Sequence, residues 1–286
     1  MDAGLFTRLT LGCILAALLS LPATVVPALA AGEEQTGLII PGTGDSQDLL
    51  RILAKRFMRD NPDIQVEVPE SVGTTGGIRS VVTGKAELAR TARPLREDEV
   101  AAGLTETVFA QVPVVFAVHP SVTGVAGLSA AQLVALFSGT ATNWSEFGGP
   151  SLPIARVCRE TPETARVLIN AAIPGFDAPG CREQAIAYTT PEAVALATGQ
   201  PGAIGYFSLP AIAATDLIPL ALDGIAPSLE NLGRGAYPLT IPFALAYKPP
   251  LSPAAARFLK ALASPDALSL MTRLGCLPTL GKSAAP

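Results

Sequence analysis

The sequence predicts an α/β protein of two lobes joined by a hinge of two crossover strands. Two observations carry this reading. From Leu38 onward, short β-rich runs alternate with helical stretches in the order strand, loop, helix, strand, the order that builds parallel crossovers. Two apolar strands, near Val112–Val118 and Pro242–Tyr247, bracket a middle block of a size suited to a second lobe. A chain that crosses to another lobe and returns would use such a pair as its hinge. A ligand is then expected in the cleft, at the carboxyl ends of strands.

The elements follow in order. After Arg8, "LTLGCILAALLSLPATVVPALA" is apolar and ends in small residues, with Ala-Leu-Ala closing at Ala30. That is a secretory signal peptide over residues 1–31 with an Ala-x-Ala cleavage site. Pro22, Pro27 and sparse flanking charge argue against a membrane anchor, and too little apolar chain precedes Cys13 for a lipoprotein signal. "LIIP" then leads into "GTGDS" and "QDLLRILAKRFMRDNP", where Leu49, Leu53 and Phe57 form one apolar helical face and Ser46 suits the cap. "IQVEVPE" alternates as a strand. "SVGTTGGIRSVVTGKAEL" gives a threonine-glycine turn, a helix and a short strand near Leu88. "VPVVFAVHP" is a continuous apolar strand, and "LSAAQLVALFSG" a helix capped by Ser129. "LPIARVC", "GAIGYFSLP" and "YPLTIPFALAYKP" are further strands, with two helical segments within Pro253–Leu274. The lobes accordingly run 32–115 with 241–286, and 116–240.

Composition excludes several functions. The 286 residues are 49% apolar and 15% charged, with a net charge of −4 that losing Asp2 and Arg8 leaves unchanged. A mildly acidic chain without a basic run is a poor partner for nucleic acid or an anionic membrane. Cys158, Cys181 and Cys276 remain after cleavage; a Cys158–Cys181 bridge would leave Cys276 single, and sequence also allows a pairing through Cys276. No metal-ligand cluster occurs, and the single histidine, His119, reads as a packing or surface residue. There is no GxSxG, no HExxH and no base placed to activate a cysteine, so neither an enzyme nor a cofactor is expected.

Four loops at strand-to-helix junctions could hold an anion, because backbone N–H groups and the helix dipole favour negative charge there. "GTGDSQ" lacks the third glycine of GxGxxG and the lysine of a P-loop, so a capped helix start is its plain alternative. "GTTGGI" offers Thr74 and Thr75 hydroxyls and two glycines that let backbone approach a ligand. "ARTARPL" supplies Arg90 and Arg93, whose planar forks suit oxyanions. "CRETPETAR" supplies Arg159.

This order of loops resembles the PstS-like phosphate-binding proteins, periplasmic receptors of bacterial ABC importers, over nearly the whole mature chain. The carriers are "SVGTTGGIRSVVTGKAELARTARPL", "GAIGYFSLP", the late "YPL" and "SPDAL", and above all "LSAAQLVALFSGTATNW" with "SEFGGP", similar to the family's "IFSGxxTNW". The resemblance implies the two-lobed, type II periplasmic-binding-protein fold. It implies capture of a small oxyanion, nominally phosphate, by a periplasmic monomer that delivers it to an ABC permease in the inner membrane. The alternative is the same fold repurposed as a non-transport scaffold or sensor.

By that resemblance the ligand contacts fall at Ser46, the backbone of Gln47, Thr74 with its neighbour Thr75, Arg93 and Arg159. The family's third-loop carboxylate or serine falls on Ala92, and its serine, glycine and threonine after the arginine become Glu163, Thr164 and Ala165. Two lost hydroxyl contacts to a charged ligand cost about 1.5–3 kcal/mol each. A carboxylate about 5 Å from the anion adds about 3 kcal/mol of repulsion at an effective dielectric near 20. Glu163 could instead supply, from across the cleft, the proton acceptor lost at Ala92, or simply begin its helix.

Overall fold

The computed structural model describes residues 36–176, 181 and 186–281. The signal peptide read at residues 1–31 lies outside them. Strands Thr36–Ile39 (β1) and Ile64–Glu67 (β2) pair in parallel, with Leu38 opposite Val66. Helix Gln47–Asp60 (α1) makes the crossover and buries the Leu49, Leu53 and Phe57 face read from the sequence. Helix Gly73–Val82 (α2) then leads to strand Leu88–Thr91 (β3), and short helix Glu97–Ala101 (α3) to the 14-residue strand Thr105–Val118 (β4).

The middle block contains strand Gly127–Leu128 (β5), helix Ala130–Ser138 (α4), and strands Ala155–Arg156 (β6) and Cys158–Arg159 (β7). Helix Thr164–Ala172 (α5), strand Ile186–Ala187 (β8), helix Thr190–Gly199 (α6) and strand Ala203–Ser208 (β9) follow. Strands Ile218–Pro219 (β10) and Ala221–Leu222 (β11) and helix Leu229–Gly233 (α7) lead to strand Thr240–Tyr247 (β12). Helices Pro253–Ala261 (α8) and Pro265–Arg273 (α9) and strand Leu277–Pro278 (β13) end the described chain.

The main sheet runs β3-β12-β4-β9-β6, and β4 organises it. Residues Thr105–Pro113 pair antiparallel with β12, whereas Val114–Val118 pair antiparallel with β9. One strand thus passes from β12 to β9, and the short strands β13 and β10 also pair with it. At the changeover the Val114 N–H donates to the Leu239 carbonyl at 2.8 Å, and the Tyr237 hydroxyl donates to the Val114 carbonyl at 2.8 Å. Parallel pairing, as the strand-helix alternation predicts, holds for β1 with β2, β5 with β11, β6 with β9 and β7 with β8. The long strands depart from it, because outgoing and returning segments of a crossover lie side by side in opposite directions.

Beside the second part of β4, Phe116, Phe137, Phe176 and Tyr206 form a buried ring cluster, with centroids 4.9–6.1 Å apart. Aromatic contacts of this kind add roughly 0.5–1.5 kcal/mol per pair beyond area burial. The "FSGTATNW" stretch builds this region. Gly139 ends α4 at φ +87°, a left-handed position that favours glycine, and the buried Trp144 indole donates to the Gly202 carbonyl at 2.8 Å. Cys158 is bonded to Cys181, and Cys276 is a buried free thiol whose titration burial pushes up to about 12. Among the described residues no helix is long and apolar enough to cross a membrane.

Candidate functional site

The site is built on the loop between β1 and α1. Arg90, fully buried in β3, holds that loop from below: its guanidinium donates to the carbonyls of Ile40, Gly42, Thr43 and Pro69. Gly42 lies at φ +146°, where a Cβ would stand 2.1 Å from the Arg90 carbonyl oxygen. Arg90 was an oxyanion candidate in sequence; the structure makes it scaffold, because four backbone carbonyls consume its donors.

On this floor Asp45 joins distant parts of the chain. Its Oδ2 accepts from the Thr43 hydroxyl at 2.8 Å and its Oδ1 from the Thr190 hydroxyl at 3.3 Å, while its backbone carbonyl accepts from Ser208 Oγ at 3.3 Å. Thr190 opens α6, so the carboxylate meets a helix N-terminus as well as a hydroxyl. Gly44 packs so closely there that a Cβ would lie 2.9 Å from Pro191 Cδ and 3.0 Å from Thr190 Cβ.

Ser46 occupies the cap position of α1 and is fully buried, but its hydroxyl makes no capping bond and has no partner among the described residues. Its backbone, at φ −101° and ψ 6°, is not the extended conformation that turns a cap side chain back onto the helix. The expected cap is therefore an unengaged hydroxyl. Gln47 is buried beside it, with its Nε2 donating to Glu70 at 3.1 Å, its Oε1 unpartnered and its backbone N–H donating to Gly44.

Arg159 is 4% exposed at the end of β7, next to the disulfide, and its Nε donates to the Ala187 carbonyl at 3.2 Å. Its Nη1 stands 3.8 Å from Glu163 Oε1. Glu163 caps α5, with Oε2 accepting from the Arg166 N–H at 2.8 Å. Burial pushes the Glu163 carboxyl above its usual range, Arg159 pulls it back, and the neighbouring Asp45 pushes it further. Arg166 reaches the Arg159 carbonyl at 2.6 Å. The buried Tyr206 lies within the field of Glu163, Arg159 and Arg166, and burial raises its phenol.

The remaining sequence candidates fall outside this cluster or at its edge. Thr74 is buried and its Oγ1 accepts from the Ala92 N–H at 3.3 Å, so the third loop is tied to the second where Ala92 lacks a polar side chain. Thr75 is exposed on α2, and Thr164, first residue of α5, is half-buried. Arg93 is turned to α3, where Glu99 takes it in a bidentate pair at 2.7 and 2.8 Å. No bond among the described residues links Arg93 to Asp45, Arg159 or Glu163. The glycines of "GTTGGI" lie in α2, and Gly77 serves packing: a Cβ there would be 2.7 Å from Gly42 Cα. His119 closes a turn with Ser121 at 2.9 Å. Sequence reasoning missed Asp45, Thr190 and Tyr206, although Asp45 stands inside a loop it singled out.

A cavity of about 220 Å³ opens beside Gly44, Asp48, Thr190 and Pro191, at the rim of this cluster. A larger one, about 400 Å³, lies at the far end of α1 against α8 and α9 and contains none of the candidate residues. The chemistry is the better guide. The buried Arg159 guanidinium, the start of α1 and the unengaged, fully buried Ser46 hydroxyl form a donor set that suits an oxyanion.

A chain organised in this way is a periplasmic-binding-protein-like domain, and a family model for a PBP superfamily domain matches residues 29–266. Within that superfamily the chain belongs to the PstS family. It is 30% identical over 216 residues, 73% of its length and 70% of the relative's, to the phosphate-binding protein PstS of Bacillus subtilis (strain 168). Among solved structures it is similar, with a TM-score of 0.75 and 24% identity, to a candidate phosphate ABC transporter substrate-binding protein with bound phosphate from Clostridium perfringens. That match covers 85% of this chain and 100% of the other. It is also similar to an ABC-type phosphate transport receptor from Vibrio cholerae, with a TM-score of 0.61, 23% identity and coverage of 85% and 99%. These two likenesses place the fold as the two-lobed type.

Proposed function

We propose that this chain is the extracytoplasmic solute-binding component of an ABC importer and captures a small oxyanion, nominally phosphate, between two lobes. The lobes are residues 32–115 with 241–286, and 116–240. The changeover of β4 partners at Pro113 and Val114 and the Leu239 carbonyl bond supply the hinge. Residues 1–31 direct export, and the mature chain acts as a monomer that meets an inner-membrane permease, without enzymatic activity.

The observation that carries this reading is the fully buried Ser46 hydroxyl, without a partner, at the start of α1. A buried polar group of that kind costs about 1–3 kcal/mol unless something engages it, and an oxyanion accepts what it offers. The guanidinium of Arg159 and the positive end of the α1 dipole supply the rest of the replacement for ligand hydration. Thr164, half-buried at the start of α5, is a further proposed contact, whereas Thr74 ties the second loop to the third through Ala92; Arg93 and Thr75 are assigned no contact.

Isothermal titration of the purified chain with inorganic phosphate tests the reading. Ser46→Ala should weaken binding by about 10- to 100-fold, and Arg159→Met by more. Equal affinity in wild type and both variants, or no binding at all, refutes it.

A further inference from the structure

We propose that Glu163 is a built-in competitor of the ligand: its carboxylate holds the place between Arg159 and the N-terminus of α5 that the oxyanion would take. The inference rests on the oxyanion reading above and identifies what sets the affinity of that site.

An anion at a helix start seeks two things, backbone N–H donors and a guanidinium. Glu163 has both. Its Oε2 accepts from the Arg166 N–H at 2.8 Å, and its Oε1 stands 3.8 Å from Arg159 Nη1, with both side chains nearly fully buried. An incoming oxyanion that wants the same donors must displace this carboxylate or share them with it.

Charge counting points the same way. Among the described residues the groups facing Glu163 are Asp45 from the first loop, Arg159 from β7, the backbone N–H of Arg166 in its own helix and Tyr206 from β9. Among the described residues two carboxylates, Glu163 and Asp45, already face the Arg159 guanidinium in this cluster. A dianion entering it leaves uncompensated negative charge unless Glu163 moves out or takes up a proton. Burial favours the latter by raising the Glu163 carboxyl, and Asp45 adds to the effect. Acid should therefore remove the competitor.

The test is phosphate titration calorimetry on the wild-type chain, Glu163→Gln and Glu163→Ser at pH 5 and pH 8, with thermal melting as the folding control. Serine is itself a good helix cap, so that variant retains the start of α5. At pH 8 both variants should bind phosphate at least about tenfold more tightly than wild type. Titration of phosphate itself cancels in the ratio of wild-type to Glu163→Gln dissociation constants, which should fall toward one between pH 8 and pH 5. In the Glu163→Ser background, Arg159→Met should abolish the gain.

Tighter phosphate binding by both variants than by wild type at pH 8 supports the competitor. Variants that bind as tightly as wild type or less tightly, a ratio independent of pH, or a gain that survives loss of Arg159 each overturn it while leaving the oxyanion reading in place. No phosphate binding by any of the three proteins overturns both.

Discussion

Replacing Arg90 by methionine tests whether the first loop is held from beneath, as the structure has it. Arg90 is fully buried, and its three nitrogens serve four backbone carbonyls, those of Ile40, Gly42, Thr43 and Pro69. Hydrogen bonds from a charged donor contribute about 1.5–3 kcal/mol each, a gross gain of roughly 6–12 kcal/mol. Burying the cation works against this: desolvation lowers its pKa to about 10, equivalent to about 3 kcal/mol. The methionine variant avoids that penalty but strands four carbonyls. A loss of about 3–5 kcal/mol in unfolding free energy is expected, the range for breaking a buried charged network. Arg90→Lys should recover only part of it, because an ammonium on a single stem cannot reproduce the fork. Urea denaturation followed by circular dichroism measures both. A loss below about 1 kcal/mol for the methionine variant would mean that the carbonyls find other donors, and that Arg90 is not the support.

Three further outcomes follow from particular contacts. Gly44→Val should weaken phosphate binding in calorimetry with little change in melting temperature, because its side chain would push against Pro191 and Thr190 where the first loop meets α6; unchanged affinity would show that this approach is not needed for capture. Replacing Cys158 and Cys181 together by alanine should cost about 3 kcal/mol in urea denaturation, from releasing a 23-residue loop, and a loss near zero would contradict the loop-entropy account. Cys276 retains its proton in the folded state up to about pH 12, whereas an unfolded thiol loses it near 9. Stability should therefore fall as pH rises from about 9 toward 12, by at most about 1.4 kcal/mol for each pH unit. Cys276→Ala should lack that component of the slope, and an identical slope in both proteins would refute it.

The fold was largely legible because its signals are local and repetitive. Leu49, Leu53 and Phe57 recur at helical spacing and are buried as a face; "VPVVFAV" is uniformly apolar and lies in the strand shared by both parts of the sheet. Ser129 is the cap its position before α4 predicts, and its hydroxyl accepts from the Gln132 N–H. What sequence could not give was the direction of pairing, since nothing in an apolar run says which neighbour it meets. The most family-specific stretch, "FSGTATNW", turned out to be architecture. Gly139 ends a helix, Asn143 caps the next turn, and Trp144 fills the core and binds the Gly202 carbonyl.

The site was legible by loop but not by residue, and its arginines show why. Arg90, Arg93 and Arg159 present the same five donors on paper, and each fate depends on acceptors that folding brings in from elsewhere. Four carbonyls take Arg90, and Glu99 takes Arg93, leaving Arg159 with one carbonyl and a carboxylate 3.8 Å away. Ser46 makes the same point in reverse. Its sequence neighbourhood matches a cap as well as Ser129 does, but the extended backbone of Ser129, with ψ 161°, turns its hydroxyl onto the helix, whereas Ser46 has ψ 6° and its hydroxyl stays unengaged. A single backbone torsion separates a helix cap from a donor available to a ligand. For Glu163 sequence offered two roles, a proton acceptor for the ligand or the start of a helix. The structure places its one carboxylate at the helix start and beside the arginine together, so capping α5 and occupying the anion position are the same act.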